Sequence, residues 1–135
     1  RILLTGGPGD LDKKYGEALS AHGAADNLVA RTTLKQLAAL IAAADLVICP
    51  DSGPAHIATA FSTPVLGLYA TSNPDRTGPF ASRELTVNCY PQAARQYLGK
   101  APDELAWGQR IRHPDAMSLV TVDEVKSKID AHFDF

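Results

Sequence analysis

Six consecutive residues, Asp51-Ser52-Gly53-Pro54-Ala55-His56, put a carboxylate, a hydroxyl, a glycine and an imidazole within two turns of chain. Proline is tolerated at the first position of a helix, where its missing N–H leaves no bond unmade, so a helix is expected over residues 54–61. A glycine at such a start lets a bulky anion come close to the backbone. The first free N–H groups, backed by about half a positive charge of helix macrodipole, then face that anion. A phosphate or diphosphate is the natural occupant. His56 follows Ser52 by four residues, so its ring can lie over the same helix end as a further donor. The plainer alternatives are an ordinary N-cap for Asp51-Ser52 and a packed or solvated histidine for His56.

The elements that must hold this loop are legible around it. Apolar runs at residues 1–5, 27–30, 46–49, 65–69 and 85–89 read as strands. Helical periodicity separates them, over residues 10–22 with Leu11, Tyr15, Ala18 and Leu19 on one face, and again beyond Thr33 with Leu34, Leu37, Ile41 and Ala44. Thr33-Leu34-Lys35-Gln36 and Thr121-Val122-Asp123-Glu124 both match the capping box, in which hydroxyl and N3 side chain satisfy each other's backbone N–H. The last helix is expected to bury Val122, Val125, Ile129 and Phe133, and the proline-punctuated stretch 91–117 to form short helices and loops. Strands separated by single helices imply a doubly wound, parallel α/β sheet. Continuous apolar runs such as 65–69 suit strands covered on both faces.

Ligands of an open parallel sheet bind at the carboxyl ends of its strands. The remaining polar loops fall there: Thr5-Gly6-Gly7-Pro8-Gly9-Asp10, Arg31-Thr32-Thr33, and residues 71–79 with Asn73, Asp75 and Arg76. Other chemistries fit worse. A nucleophile elbow needs G-x-S-x-G, and Ser52 stands between Asp51 and Gly53 with Pro50 and Pro54 outside them. The Gly6-Gly7-x-Gly9 turn misses the dinucleotide spacing, and no acidic residue closes the second strand. Thirteen basic against fifteen acidic residues give a formal charge of −2 with no like-charge block, which argues against nucleic acid as a partner. Cys49 and Cys89 lack metal-ligand spacing and are expected to be buried free thiols, as suits the cytoplasm. The longest apolar stretch is too short and too alanine-rich for a membrane span. A length of 135 residues suits one core, and the immediate start on a strand suggests a piece of a longer protein.

Taken together, the Asp51-Ser52-Gly53-Pro54-x-His56 loop, the alanine-rich helix after it, Thr63-Pro64-Val65 and the proline-containing loop beyond the next strand resemble the lipopolysaccharide heptosyltransferase family of glycosyltransferases. The resemblance covers residues 3–79 well. It implies a Rossmann-like domain, the C-terminal, donor-binding half of a GT-B enzyme that transfers heptose with inversion from ADP-heptose to a lipopolysaccharide core acceptor. It implies that the Ser52 and Gly53 amides bind the diphosphate with help from His56, that Asp51 contacts the sugar or its phosphate, that Asp10 holds the ribose hydroxyls, and that Thr32 lies by the base. Gly6, Gly7 and Arg76 are further donor-binding candidates. No metal or other cofactor is expected, since the helix end, His56 and Arg76 can offset the diphosphate charge. The general base and a phosphate-binding lysine belong to sequence upstream, with the acceptor domain, so no catalytic residue is expected in this chain. The implied setting is the cytoplasm, with at most peripheral association at the inner face of the inner membrane. A related nucleotide-sugar enzyme, such as an epimerase or another sugar transferase, or a non-catalytic nucleotide-binding module would preserve the same loops.

Overall fold

The computed structural model describes residues 1–134 and divides them into two compact units, Arg1–Leu40 and the residues from Ile41 onward. In the first unit, β1 (Ile2–Leu4) pairs in parallel with β2 (Ala25–Asn27), Ile2 opposite Ala25, and α1 (Asp10–Ser20) connects them. The second strand thus lies earlier than the expected 27–30. Leu28 and Ala30 still donate to Leu4 and Gly6 carbonyls at 2.8 and 3.1 Å. However, the Asn27 side chain takes the Val29 N–H, at 3.0 Å, and Ala30 adopts a left-handed φ of 60°, which ends the extended backbone.

Helix α1 also turns differently from its apolar stripe. Leu11, Tyr15 and Leu19 are exposed, and the buried residue of the helix is Gly16. A Cβ at Gly16 would stand 2.7 Å from Val29 Cγ2 and 2.9 Å from Asn27 Oδ1. The missing side chain therefore sets how closely the helix approaches the chain at the end of β2, and that contact decides which face is covered. Helix α2 (Leu34–Ala42) opens with the expected capping box: Thr33 N–H donates to Gln36 Oε1 at 2.9 Å and Gln36 N–H to Thr33 Oγ1 at 3.3 Å. The division between the units falls inside this helix.

The second unit is built on a three-stranded parallel sheet of β3 (Val47–Pro50), β4 (Val65–Tyr69) and β5 (Val87–Asn88), with β4 in the centre. Cys49 lies opposite Gly67, and Leu68 opposite Val87. Helix α3 (Gly53–Ala60) joins β3 to β4. Beyond β4 come α4 (Pro74–Thr77), a kinked 3₁₀ segment Phe80–Leu85, α5 (Tyr90–Leu98), two short 3₁₀ turns and α6 (Val122–His132). The expected start of the fifth strand at Leu85 belongs to that 3₁₀ segment, because β5 pairs with β4 only through Leu68 and Tyr69.

As its unbroken apolar run foretold, β4 is covered on both faces. Val65 and Leu66 are inaccessible, and Leu66 joins Val87, Tyr90, Ala93, Ala94, Ile111 and Ala116 in the core. Buried hydroxyls close the strand ends: Thr63 Oγ1 donates to the Ile41 carbonyl at 2.9 Å, and Ser82 Oγ accepts from Val65 N–H at 3.1 Å. The capping box of α6 forms, with Glu124 N–H donating to Thr121 Oγ1 and Thr121 N–H to Glu124 Oε2. Val125 and Ile129 pack on the core while Val122 is exposed, since a first-turn residue lies beyond the core edge. The alternation of strand and helix thus gives parallel α/β structure, as expected. Among the described residues, no helix is long and apolar enough to cross a membrane.

Candidate functional site

The junction between β3 and α3 holds four of the candidate residues, Asp51, Ser52, Gly53 and His56. Ser52 is the N-cap residue of α3, in extended conformation (φ −152°, ψ 166°), yet its side chain does not cap the helix. Its hydroxyl instead donates to the Pro50 carbonyl at 3.1 Å. The ordinary N-cap arrangement, a side-chain oxygen over the first-turn N–H groups, is therefore absent; Ala55 N–H donates to the Ser52 carbonyl at 3.1 Å and Pro54 has none, so Gly53 supplies the first-turn N–H that no side chain caps. Pro54 occupies the first turn, as its lack of an N–H allows.

Gly53 starts the helix, and a Cβ built there would meet nothing within 4 Å. Its φ lies outside the left-handed region, so neither strain nor packing within the chain calls for glycine. What the absent side chain keeps open is the space above the helix end. His56 is exposed on the same first turn and has no hydrogen-bond or ion-pair partner among the described residues. That geometry removes the packed-histidine alternative.

Asp51 is placed quite differently. Its side chain is only 9 % exposed, and it forms an ion pair with Arg110, whose Nη2 donates to Oδ2 at 2.9 Å. Its charge reaches the ends of both neighbouring strands. Tyr69 is pushed up to about 12 by burial first and then by the negative charges of Asp51 and Cys49. Burial likewise raises the Cys49 thiol; the Ser52 hydroxyl works against this and Asp51 adds to it. Cys49 and Cys89 are both free and buried, as expected.

Sequence reasoning missed Arg110, which is 59 residues from its partner and lies in a proline- and glycine-rich stretch with no recognisable motif. The structure fixes it through its neighbours. Ile111 N–H donates to the Thr71 carbonyl at 2.9 Å, just past β4, and the Tyr90 hydroxyl donates to the Gln109 carbonyl at 2.8 Å. Arg76, exposed on α4, approaches the same stretch: a Cβ on Gly108 would lie 3.6 Å from its guanidinium. Asp51, Arg76 and Arg110 thus belong to one edge of the second unit. In the loop between them, the Ser72 hydroxyl is buried without a hydrogen-bond partner among the described residues.

The first unit carries the other candidates. Asp10 is the first residue of α1 and is exposed. Asp12, which the sequence did not single out, lies closer to the glycine turn: its carboxylate is 3.4–3.5 Å from Cβ positions built on Gly6 and Gly7. Thr32 is half-buried and lines a shallow cleft of about 370 Å³ with Arg31, Gln36, Ala39 and Leu40. Among the described residues no group of three or more His, Cys, Asp or Glu side chains is arranged to hold a metal ion.

The family model for glycosyltransferase family 9 (heptosyltransferase) matches residues 1–103. The lipopolysaccharide core heptosyltransferase OpsX of Haemophilus influenzae is 39% identical over 126 residues, which is 92% of this chain and 36% of that protein. Lipopolysaccharide heptosyltransferase 2 of Escherichia coli is 40% identical over 61 residues, 45% of this chain and 18% of that protein. The crystal structure of a family 9 glycosyl transferase from Veillonella parvula superposes with a TM-score of 0.65 at 20% identity, covering 96% of this chain and 35% of its own. The likeness shows a shared fold. The chain spans about a third of the length of the OpsX and Veillonella proteins.

Proposed function

Because this chain belongs to glycosyltransferase family 9, the heptosyltransferase family, we propose that it is the donor-binding part of an inverting enzyme that transfers heptose from ADP-heptose to a lipopolysaccharide core acceptor. The observation that carries the reading is the start of α3: a helix end without a side-chain cap, opened by a glycine that nothing in the chain requires, beside an exposed histidine. Direct displacement at the sugar needs stabilisation of the departing diphosphate. Backbone N–H groups around Gly53 and the macrodipole behind them supply it, with His56 and Arg76 as further donors. Each charge-assisted hydrogen bond to the phosphates is worth roughly 1.5–3 kcal/mol. Activation of the acceptor hydroxyl requires a base, which this reading assigns to sequence outside the chain.

Within the first unit the same reading gives Asp10 the ribose hydroxyls and Thr32 the base, each open to test by its own variant. The cytoplasmic face of the inner membrane, where such an acceptor would be presented, is the proposed setting, with peripheral contact only. Calorimetry of ADP and ADP-heptose against the chain tests the proposal. Binding in the micromolar to millimolar range, unchanged by EDTA, is expected. A folded chain that fails to bind either ligand at millimolar concentration refutes it, and a strict need for magnesium or manganese refutes the assignment of the charge-neutralising groups.

A further inference from the structure

We infer that Arg110 is a positioning residue of the donor site, acting through Asp51: it neutralises and orients a carboxylate that would otherwise repel the diphosphate at the neighbouring helix end. The inference rests on the donor-binding reading of α3. Asp51 is one residue before the N-cap of α3, and its carboxylate is largely withdrawn from solvent, so water screens its charge poorly. Left alone, that charge opposes the positive end of the helix and disfavours any anion bound there. Arg110 is the one hydrogen-bond partner of the Asp51 side chain among the described residues. The pairing through Oδ2 leaves Oδ1 as an acceptor suited to a hydroxyl rather than to a phosphate oxygen.

The segment that delivers the guanidinium is held on both sides. Ile111 is 2 % exposed in the core and bonded to the end of β4, and Gln109 is held by Tyr90. Arg110 is therefore carried by an ordered stretch, while half of its own side chain remains accessible. Those anchors fix the Cα position from which the arginine side chain reaches the Asp51 carboxylate.

The distinction from a direct phosphate ligand or a merely structural clamp is made by a double-mutant cycle. ADP affinity is measured by calorimetry at fixed salt for the wild type, Arg110→Ala, Asp51→Asn and the double variant, with melting temperatures alongside. Arg110→Ala is expected to weaken ADP binding about tenfold, within the range for coupled neighbouring charges. In the Asp51→Asn background, where no charge is left to neutralise, the same substitution should change affinity less than about twofold. Arg110→Lys, which keeps the charge, should recover most of the loss. Equal losses in both backgrounds would show that Arg110 meets the diphosphate itself or only holds the loop, and would overturn the inference. So would an Arg110→Ala variant that binds like the wild type. These results leave the donor site standing, whereas a folded wild type that does not bind ADP removes the reading on which the inference depends.

Discussion

Gly53→Ala should move stability and affinity in opposite directions. In the free protein, a methyl at Gly53 projects into space with no atom within 4 Å, from a backbone conformation open to L-residues. Nothing clashes, and replacing glycine in a helix by alanine reduces the entropy lost on folding by up to about 0.5–1 kcal/mol, less at a first-turn position. The melting temperature should therefore hold or rise by as much as a few degrees. In the complex, the methyl occupies the space through which an anion reaches the backbone. Loss or lengthening of one charge-assisted hydrogen bond costs about 1.5–3 kcal/mol, which is roughly 10- to 100-fold in Kd for ADP. Gly53→Val should weaken binding further, at some cost from its stiffer side chain. Calorimetry and thermal unfolding on the same preparations read both quantities. Unchanged ADP affinity in an alanine variant that melts at or above the wild-type temperature would refute the close approach of a diphosphate to Gly53. A marked fall in melting temperature would refute the claim that the chain itself has no use for glycine there.

Two further outcomes follow from the same contacts. His56→Ala removes an exposed, unpartnered ring, so melting should stay within about 2 °C, as for surface substitutions, while ADP affinity falls roughly five- to tenfold; the reverse pattern in the same two assays would sink the role given to His56. Thr121→Ala dissolves the α6 capping box at a cost of about 1 kcal/mol, read by urea unfolding. The Glu124 carboxylate is held below its ordinary value near 4.5, first by the Thr121 side chain and then by the Thr121 backbone N–H. A depressed folded-state pKa contributes stability above that ordinary value, and the contribution is lost as pH falls through the depressed one. The Thr121→Ala penalty should therefore be largest at neutral pH and shrink as the pH falls below the ordinary value near 4.5, and a penalty that grows on acidification would contradict the box.

The features legible in the sequence are those whose causes are local. Both capping boxes form from residues three apart, and Val65–Tyr69 is a strand with the expected ends because an apolar run of four side chains and one glycine needs cover on both faces. The β3–α3 junction could be placed because Gly53-Pro54 fixes where a helix can begin. Legibility fades where a contact from elsewhere decides. The apolar stripe of α1 predicts a buried face at Leu11, Tyr15 and Leu19, but the closest approach is made by Gly16 against Val29 and Asn27, which no periodicity displays. The second strand is cut short by one Asn27 side chain and one left-handed alanine.

At the candidate site the sequence alone supplied the run on which the proposed anion chemistry rests, Asp-Ser-Gly-Pro-x-His between a strand end and a helix start. Tertiary structure decided how that run is used. It turned the Ser52 hydroxyl back to Pro50 and so left the helix end without its side-chain cap, put His56 in solvent, and withdrew Asp51 into an ion pair with a residue 59 positions away. Spacing rules describe neighbours along one element. Arg110 reaches Asp51 only because Ile111 is hydrogen-bonded beside the end of β4 and Tyr90 holds Gln109, and both of those contacts exist only once the core has formed.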